Sequence, residues 1–166
     1  MVAAGAIAMM VVLLRLLCAA SGRVLNWIDA QPIETLFLSA ITLAELRFGV
    51  ASLPSGRRRT GLRDSLEARV LPMLAGRVLP FDLAASHAYG ELMARAREAG
   101  LAIGASDGYI AAPAEANGMV VATGDTATFQ AARVPFVSPW AEQATRVTDS
   151  KVRPERLELP TLRSEV

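Results

Sequence analysis

The sequence predicts an α/β domain in which short apolar strands alternate with helices. Three observations carry this. Between residues 101 and 129 an acid, Asp107, stands at a helix start, and Tyr109, Ile110, Ala111 and Ala114 give that helix an apolar face. Asn117-Gly118 then reads as a helix stop, and Met119-Val120-Val121-Ala122 as a short buried strand, the second half of a helix-to-parallel-strand unit. Finally, 166 residues with 52% hydrophobic content suffice for one domain with a proper core, and are too apolar for a disordered chain.

The elements follow in order. Residues 1–14 are almost wholly apolar, Arg15 interrupts, and an apolar run follows to Ala20. A signal peptide would need a basic residue before the apolar run. A membrane span would need about 20 apolar residues, and Arg15 falls inside that window. The preferred reading is a buried first strand with residues 8–14 as its apolar core. Residues 24–30 read as a helix stopped by Gln31-Pro32, 36–39 as a strand, and 41–53 as a helix closed by Pro54-Ser55-Gly56. Residues 57–75 form a longer helix, basic at its start and bent or shortened by Pro72. A short extended piece at 78–81 precedes an amphipathic helix at 83–99, with Leu83, Ala84, His87, Ala88, Leu92 and Ala96 near one face and Gly100 as its stop. After the opening stretch come a short helix at 127–132 and a last strand at 134–137. The chain thus divides into an atypical segment at 1–23, a domain at 24–140 and a polar tail at 141–166.

Several function classes lack support. A net charge of +1 provides no general basic field for nucleic acid. The single cysteine, Cys18, excludes an internal disulfide framework, fits the cytosol, and has no His nearby to activate it. There is no glycine-rich phosphate loop, CxxC pair, HExxH or GxSxG. His87 lies within the amphipathic helix and reads as packing. What remains is an acid at each of three expected strand-to-helix junctions: Glu45, Asp107 and Asp125.

Each acid has two readings. Thr42 to Glu45 fits a capping box, Asp107 in a first helical turn suits the helix dipole, and Asp125 suits an N-cap. Together they also suit a hard divalent cation, because Mg²⁺ or Mn²⁺ is held by a few carboxylates and water. Such an ion activates water and stabilises charge on a phosphoryl group.

The runs LSAITLAELRFGV (38–50), GLAIGASDGYIAA (100–112) and VVATGDTATF (120–129) resemble the PIN-domain toxins of VapBC toxin–antitoxin systems, nearest the FitB-like group. The connecting VLPFDLAASHAYGELMARAREAG (78–100) and the closing VPFVSPW (134–140) agree. The resemblance implies a three-layer α/β/α fold with a central, mainly parallel sheet. It implies Mg²⁺ or Mn²⁺, endonucleolytic cleavage of RNA, a VapB-like antitoxin, a homodimer and a cytoplasmic location rather than a membrane one. Matched to the family's acids, Glu45, Asp107 and Asp125 become catalytic and metal-binding residues. Ser39, Thr123, Arg57, Arg58 and Arg59 become candidate substrate contacts, with strand-end capping and a solvated basic helix start as their alternatives.

The departures are as specific. The family opens with a strand ending in an Asp-Thr-Asn-like sequence whose Asp is a principal metal ligand, whereas no Asp or Glu precedes Asp29 here. Residues 1–23 resemble nothing in the family and the likeness begins abruptly at Val24, a pattern that an altered reading frame would produce. Gly124 stands where Arg or Asn is common, and Pro113 is expected to interrupt the helix after Asp107. Loss of one carboxylate implies weaker metal binding and slower chemistry; a non-catalytic remnant that still binds an antitoxin or sister toxin is the alternative. Because the tail lacks an apolar period, deleting residues 142–166 is expected to leave the melting temperature nearly unchanged. A large drop on differential scanning calorimetry would show the tail to be integral.

Overall fold

Alternate residues of each strand belong to opposite faces of one sheet, and the chain folds around that alternation. The computed structural model describes residues 7–9, 22–131 and 133–141. Its strands are β1 (Ile7–Met9), β2 (Leu36–Ser39), β3 (Val78–Leu79), β4 (Val120–Ala122) and β5 (Phe136–Val137). They form one sheet in the order β3-β2-β1-β4-β5, every pairing parallel. The helices are α1 (Gly22–Asp29), α2 (Ala40–Ala51), α3 (Arg57–Ser65), α4 (Leu83–Glu98), α5 (Ala105–Ala116) and α6 (Thr126–Ala131). A 3₁₀ turn, Ile33–Thr35, leads into β2.

Two cores flank the sheet. Leu36, Leu38 and Ala122 meet Val24, Trp27 and Ile28 of α1 and Leu43 and Leu46 of α2, with Val78 and Val137 packed against them. On the other face Leu79 and Val121 meet Leu92 of α4, Ala111 and Ala114 of α5 and Phe129 of α6, with Phe37 and Phe136 alongside. Neighbours in sequence therefore part: Leu36 and Leu38 go one way, Phe37 the other. The register agrees, since Leu38 is level with Val78 and Val121 with Phe136. With helices on both faces, the architecture is a three-layer α/β/α sandwich around a parallel sheet, as the sequence predicts.

Helix ends are set by local chemistry. Asp82 caps α4 by accepting from the Ala85 amide at 2.9 Å. Gly100 and Gly118 take the left-handed conformation, at φ 70° and 64°, just past α4 and α5. Each lets the next amide fold back, Leu101 N to Ala96 O at 2.9 Å and Met119 N to Ala114 O at 2.8 Å. The half-buried pair Arg95–Glu115, with Nη2 at 2.7 and 2.8 Å from the two carboxylate oxygens, ties α4 to α5.

Several expectations need correction. The buried face of α4 is Ala85, Ala88, Leu92 and Ala96; Leu83 is 85% exposed, and Ala84 and His87 also face solvent. His87 is thus not a packing residue: the Asp82 cap starts the helix so that 83, 84 and 87 fall opposite the core face. Pro113 does not interrupt α5, which runs unbroken through it. The proline is buried, and the Asn117 side chain donates to its carbonyl at 2.7 Å, one turn on. The long helix at 57–75 instead passes from α3 through a π-helical stretch, Leu66–Val70, into a last turn, Leu71–Met73, that contains Pro72. The first strand lies at Ile7–Met9, overlapping the expected run at 8–14; residues 10–21 and 142–166 are outside the described residues. Among the described residues no helix is long and apolar enough to cross a membrane.

β1 pairs on both edges, Ala8 with Phe37 on one side and Val121 on the other. A proline there removes a ladder donor from a central strand. Ala8→Pro is expected to lower the melting temperature by about 10 °C or more. An unchanged melt by circular dichroism would mean that another segment supplies the central strand.

Candidate active site

In a parallel sheet the strand order reverses where two crossovers leave in opposite directions, and a crevice opens beyond the carboxyl ends of the strands there. Here that point lies between β1 and β4, since β2 and β3 lie to one side of β1 and β4 and β5 to the other. Residues just past β4, and those that α2 and α5 bring to the same edge, can share one space.

β2 ends in Ser39, whose buried hydroxyl accepts from the Thr42 amide at 2.9 Å and lies 2.9 Å from the Thr42 hydroxyl. This caps α2 and places Glu45 in its second turn. Glu45 is therefore not the partner in a capping box that begins at Thr42, because the cap sits three residues earlier. Its carboxylate instead accepts a hydrogen bond from the Ser106 hydroxyl of α5.

β4 runs out into Thr123, which is buried, and its Oγ1 accepts from the Asp125 amide at 3.1 Å. Asp125 in turn caps α6: it accepts from the Thr128 amide at 3.3 Å and the Thr128 hydroxyl at 2.7 Å. The capping reading of Asp125 is thus realised. Those bonds, led by the Thr128 hydroxyl, lower its carboxyl below the ordinary value. Asp107 sits in the first turn of α5, after a loop that follows α4. It is at a helix-to-helix junction, so the expectation of three strand-to-helix junctions holds only in part; Asp125 alone stands directly at one.

Asp107 behaves differently from Asp125. Partial burial, then the charge of Asp125, then that of Glu45, raise its carboxyl above the ordinary value. A helix N-terminus acts in the opposite direction and is outweighed. Asp125 ionises first, so their mutual repulsion falls on Asp107. The three acids from α2, α5 and the β4–α6 turn therefore share one electrostatic neighbourhood. They do not form a closed cage: among the described residues no three His, Cys, Asp or Glu side chains are placed to hold one ion. The donor set still suits Mg²⁺ or Mn²⁺, which use one or two carboxylates and keep several waters.

The other candidates divide. Ser39 and Thr123 end strands two positions apart in the sheet and are engaged in local turns. Arg57, Arg58 and Arg59 open α3, after the turn that follows the carboxyl end of α2, whereas Ser39 caps the amino end of α2. A Cβ on Gly124 would meet the Trp140 ring at 3.5 Å, ordinary contact, so nothing there demands glycine. Sequence reasoning missed two residues. Thr128 was legible as the third residue after a cap; Ser106 bonds a residue 61 positions away, which no local pattern signals.

A family model described as "PIN domain" matches residues 12–135. The chain is 62% identical over 117 residues to the VapC ribonuclease Y4jK of Sinorhizobium fredii, a match covering 70% of this chain and 84% of that protein. It is 46% identical over 118 residues to toxin FitB of Neisseria gonorrhoeae, covering 71% and 85%. The solved structure of FitAB bound to an IR36 DNA fragment matches with a TM-score of 0.77 and 41% identity, over 81% of this chain and 96% of that one.

The raised carboxyl of Asp107 gives a signed prediction. In the window between its unfolded and folded pKa the folded state binds more protons, so stability rises as pH falls and is diminished once Asp107 is ionised. In EDTA, Asp107→Asn is expected to raise the melting temperature at pH 7.5, with the gain shrinking as pH falls towards about 4, the ordinary aspartate range. A lower melting temperature at pH 7.5 would contradict this assignment.

Proposed function

This chain belongs to the PIN-domain family, in the branch of the VapC and FitB toxins, and on that footing we propose that it is a toxin of a type II toxin–antitoxin pair that cleaves RNA with Mg²⁺ or Mn²⁺. The observation that carries the proposal is that Asp125 and Glu45 lie near enough to the partly buried Asp107 to hold its carboxyl above the ordinary value, a crowding of carboxylate charge that a cation would relieve. Charge of that kind attracts a hard cation.

In this reading Asp125 stays ionised because Thr128 holds it. Asp107, partly buried beside it, supplies a second carboxylate whose repulsion is relieved by a cation. Glu45 completes the site or orients the attacking water. The ion supplies an activated water and charge stabilisation at the scissile phosphate. The partners are a VapB-like antitoxin, a second copy of the chain and RNA, and the compartment is the cytoplasm.

One feature favours a second reading. No acid precedes Asp29, and among the described residues the acids do not form a closed set. Three carboxylates in place of the family's four would bind metal weakly and cleave slowly, or leave a remnant that only binds an antitoxin or a sister toxin.

The test is RNA cleavage titrated against Mn²⁺. Met9 is level with Leu38 and Ala122, each followed by a hydroxyl residue at the carboxyl edge of the sheet. The variants therefore place an Asp after Met9, as Met10→Asp or further on as Leu14→Asp. The unmodified chain is expected to cleave slowly, one of these variants faster, and Asp107→Asn not at all. Cleavage that survives Asp107→Asn would sink the proposed site. Metal-dependent cleavage absent even after Asp restoration would favour the binding remnant.

A further inference from the structure

We propose that Ser106 is a positioning residue, holding the Glu45 carboxylate beside Asp107 across the gap between α2 and α5. The inference rests on the reading of these acids as a metal site. Ser106 donates its hydroxyl hydrogen to Glu45 Oε1. Neither side chain is claimed by its own helix. Ser106 is the second residue of α5, whose N-cap is Gly104 and has no side-chain cap bond. Glu45 lies a turn inside α2, whose cap is completed by Ser39 and Thr42.

A glutamate side chain free to rotate would lose conformational entropy each time it joined a site. The Ser106 bond removes part of that freedom in advance. It engages Oε1 and leaves Oε2 without a donor among the described residues, so one carboxylate oxygen stays available. Ser106 also adjoins Asp107, so a single helical turn carries one acid and holds the other. Gly104 protects the arrangement: a Cβ there would stand 3.1 Å from Asp107 Oδ2 and press on that carboxylate. Outer partners of this kind orient metal-binding carboxylates, and their loss typically weakens metal affinity about 10- to 100-fold.

The experiment compares the unmodified chain with Ser106→Ala, Ser106→Thr and Asp107→Asn. Two quantities are read: the melting temperature in EDTA, and the Mn²⁺ concentration that gives half of the metal-induced rise in it. Ser106 is exposed, so Ser106→Ala is expected to melt in EDTA close to the unmodified chain. It should need about tenfold more Mn²⁺. Ser106→Thr, which keeps the hydroxyl, should restore the ordinary requirement, and Asp107→Asn should lose the response. If Ser106→Ala titrates like the unmodified chain while Asp107→Asn does not respond, the site stands and the role of Ser106 is overturned. A large loss of stability of Ser106→Ala in EDTA, or failure of threonine to rescue, overturns it also. If Asp107→Asn responds normally, or none of the four responds, the site reading falls and this inference with it.

Discussion

The sheet depends on a strand at its centre. β2 and β4 do not pair with each other; each pairs with β1, so three residues, Ile7–Met9, join the two halves of the domain. An empty slot there would leave two rows of backbone donors and acceptors unmet, at a cost per group of about 1–3 kcal/mol. Because every pairing is parallel, all the strands end at the same edge. That one constraint places Ser39, Thr123 and Asp125 there and opens the crevice between β1 and β4. The cores on either face then fix which residues of β2 and β4 point up or down.

The candidate site runs against the usual preference for paired charges. Asp125 has found partners in Thr128, but Asp107 is partly buried beside it and carries the repulsion of two other acids. A protein selected only for stability would replace or pair such a group. The burden is characteristic of places where a cation or a substrate completes the structure. The bonds around it, Ser106 to Glu45 and Thr128 to Asp125, hold carboxylates in place without neutralising them.

Much of this was legible in the sequence. The strand at 36–39 and the stops at Gly100 and Gly118 follow from short apolar runs and from residues that tolerate positive φ. The family likeness rested on spaced blocks of residues and agrees with the comparisons. Other features depended on tertiary context. The buried face of α4 is not legible locally, because Leu83 and Leu92 are equally apolar and only the neighbours decide which is covered. Pro113 signals a break, yet a buried helix tolerates the lost amide when packing holds both sides. The spacing of Thr42 and Glu45 suggests a capping box, whereas Ser39 starts the helix. The link from Ser106 to Glu45 joins residues with no relation in sequence, so only a folded chain displays it.

The proposed cation would sit at Asp107, with the charges of Asp125 and Glu45 near it. Calorimetric titration of the metal-free protein with Mn²⁺ at pH 7.5 measures this directly. One ion per chain is expected, bound weakly, with the heat lost in Asp107→Asn and reduced in Asp125→Asn and Glu45→Gln. Binding unchanged by Asp107→Asn, or no binding in the unmodified chain at millimolar Mn²⁺, would contradict it.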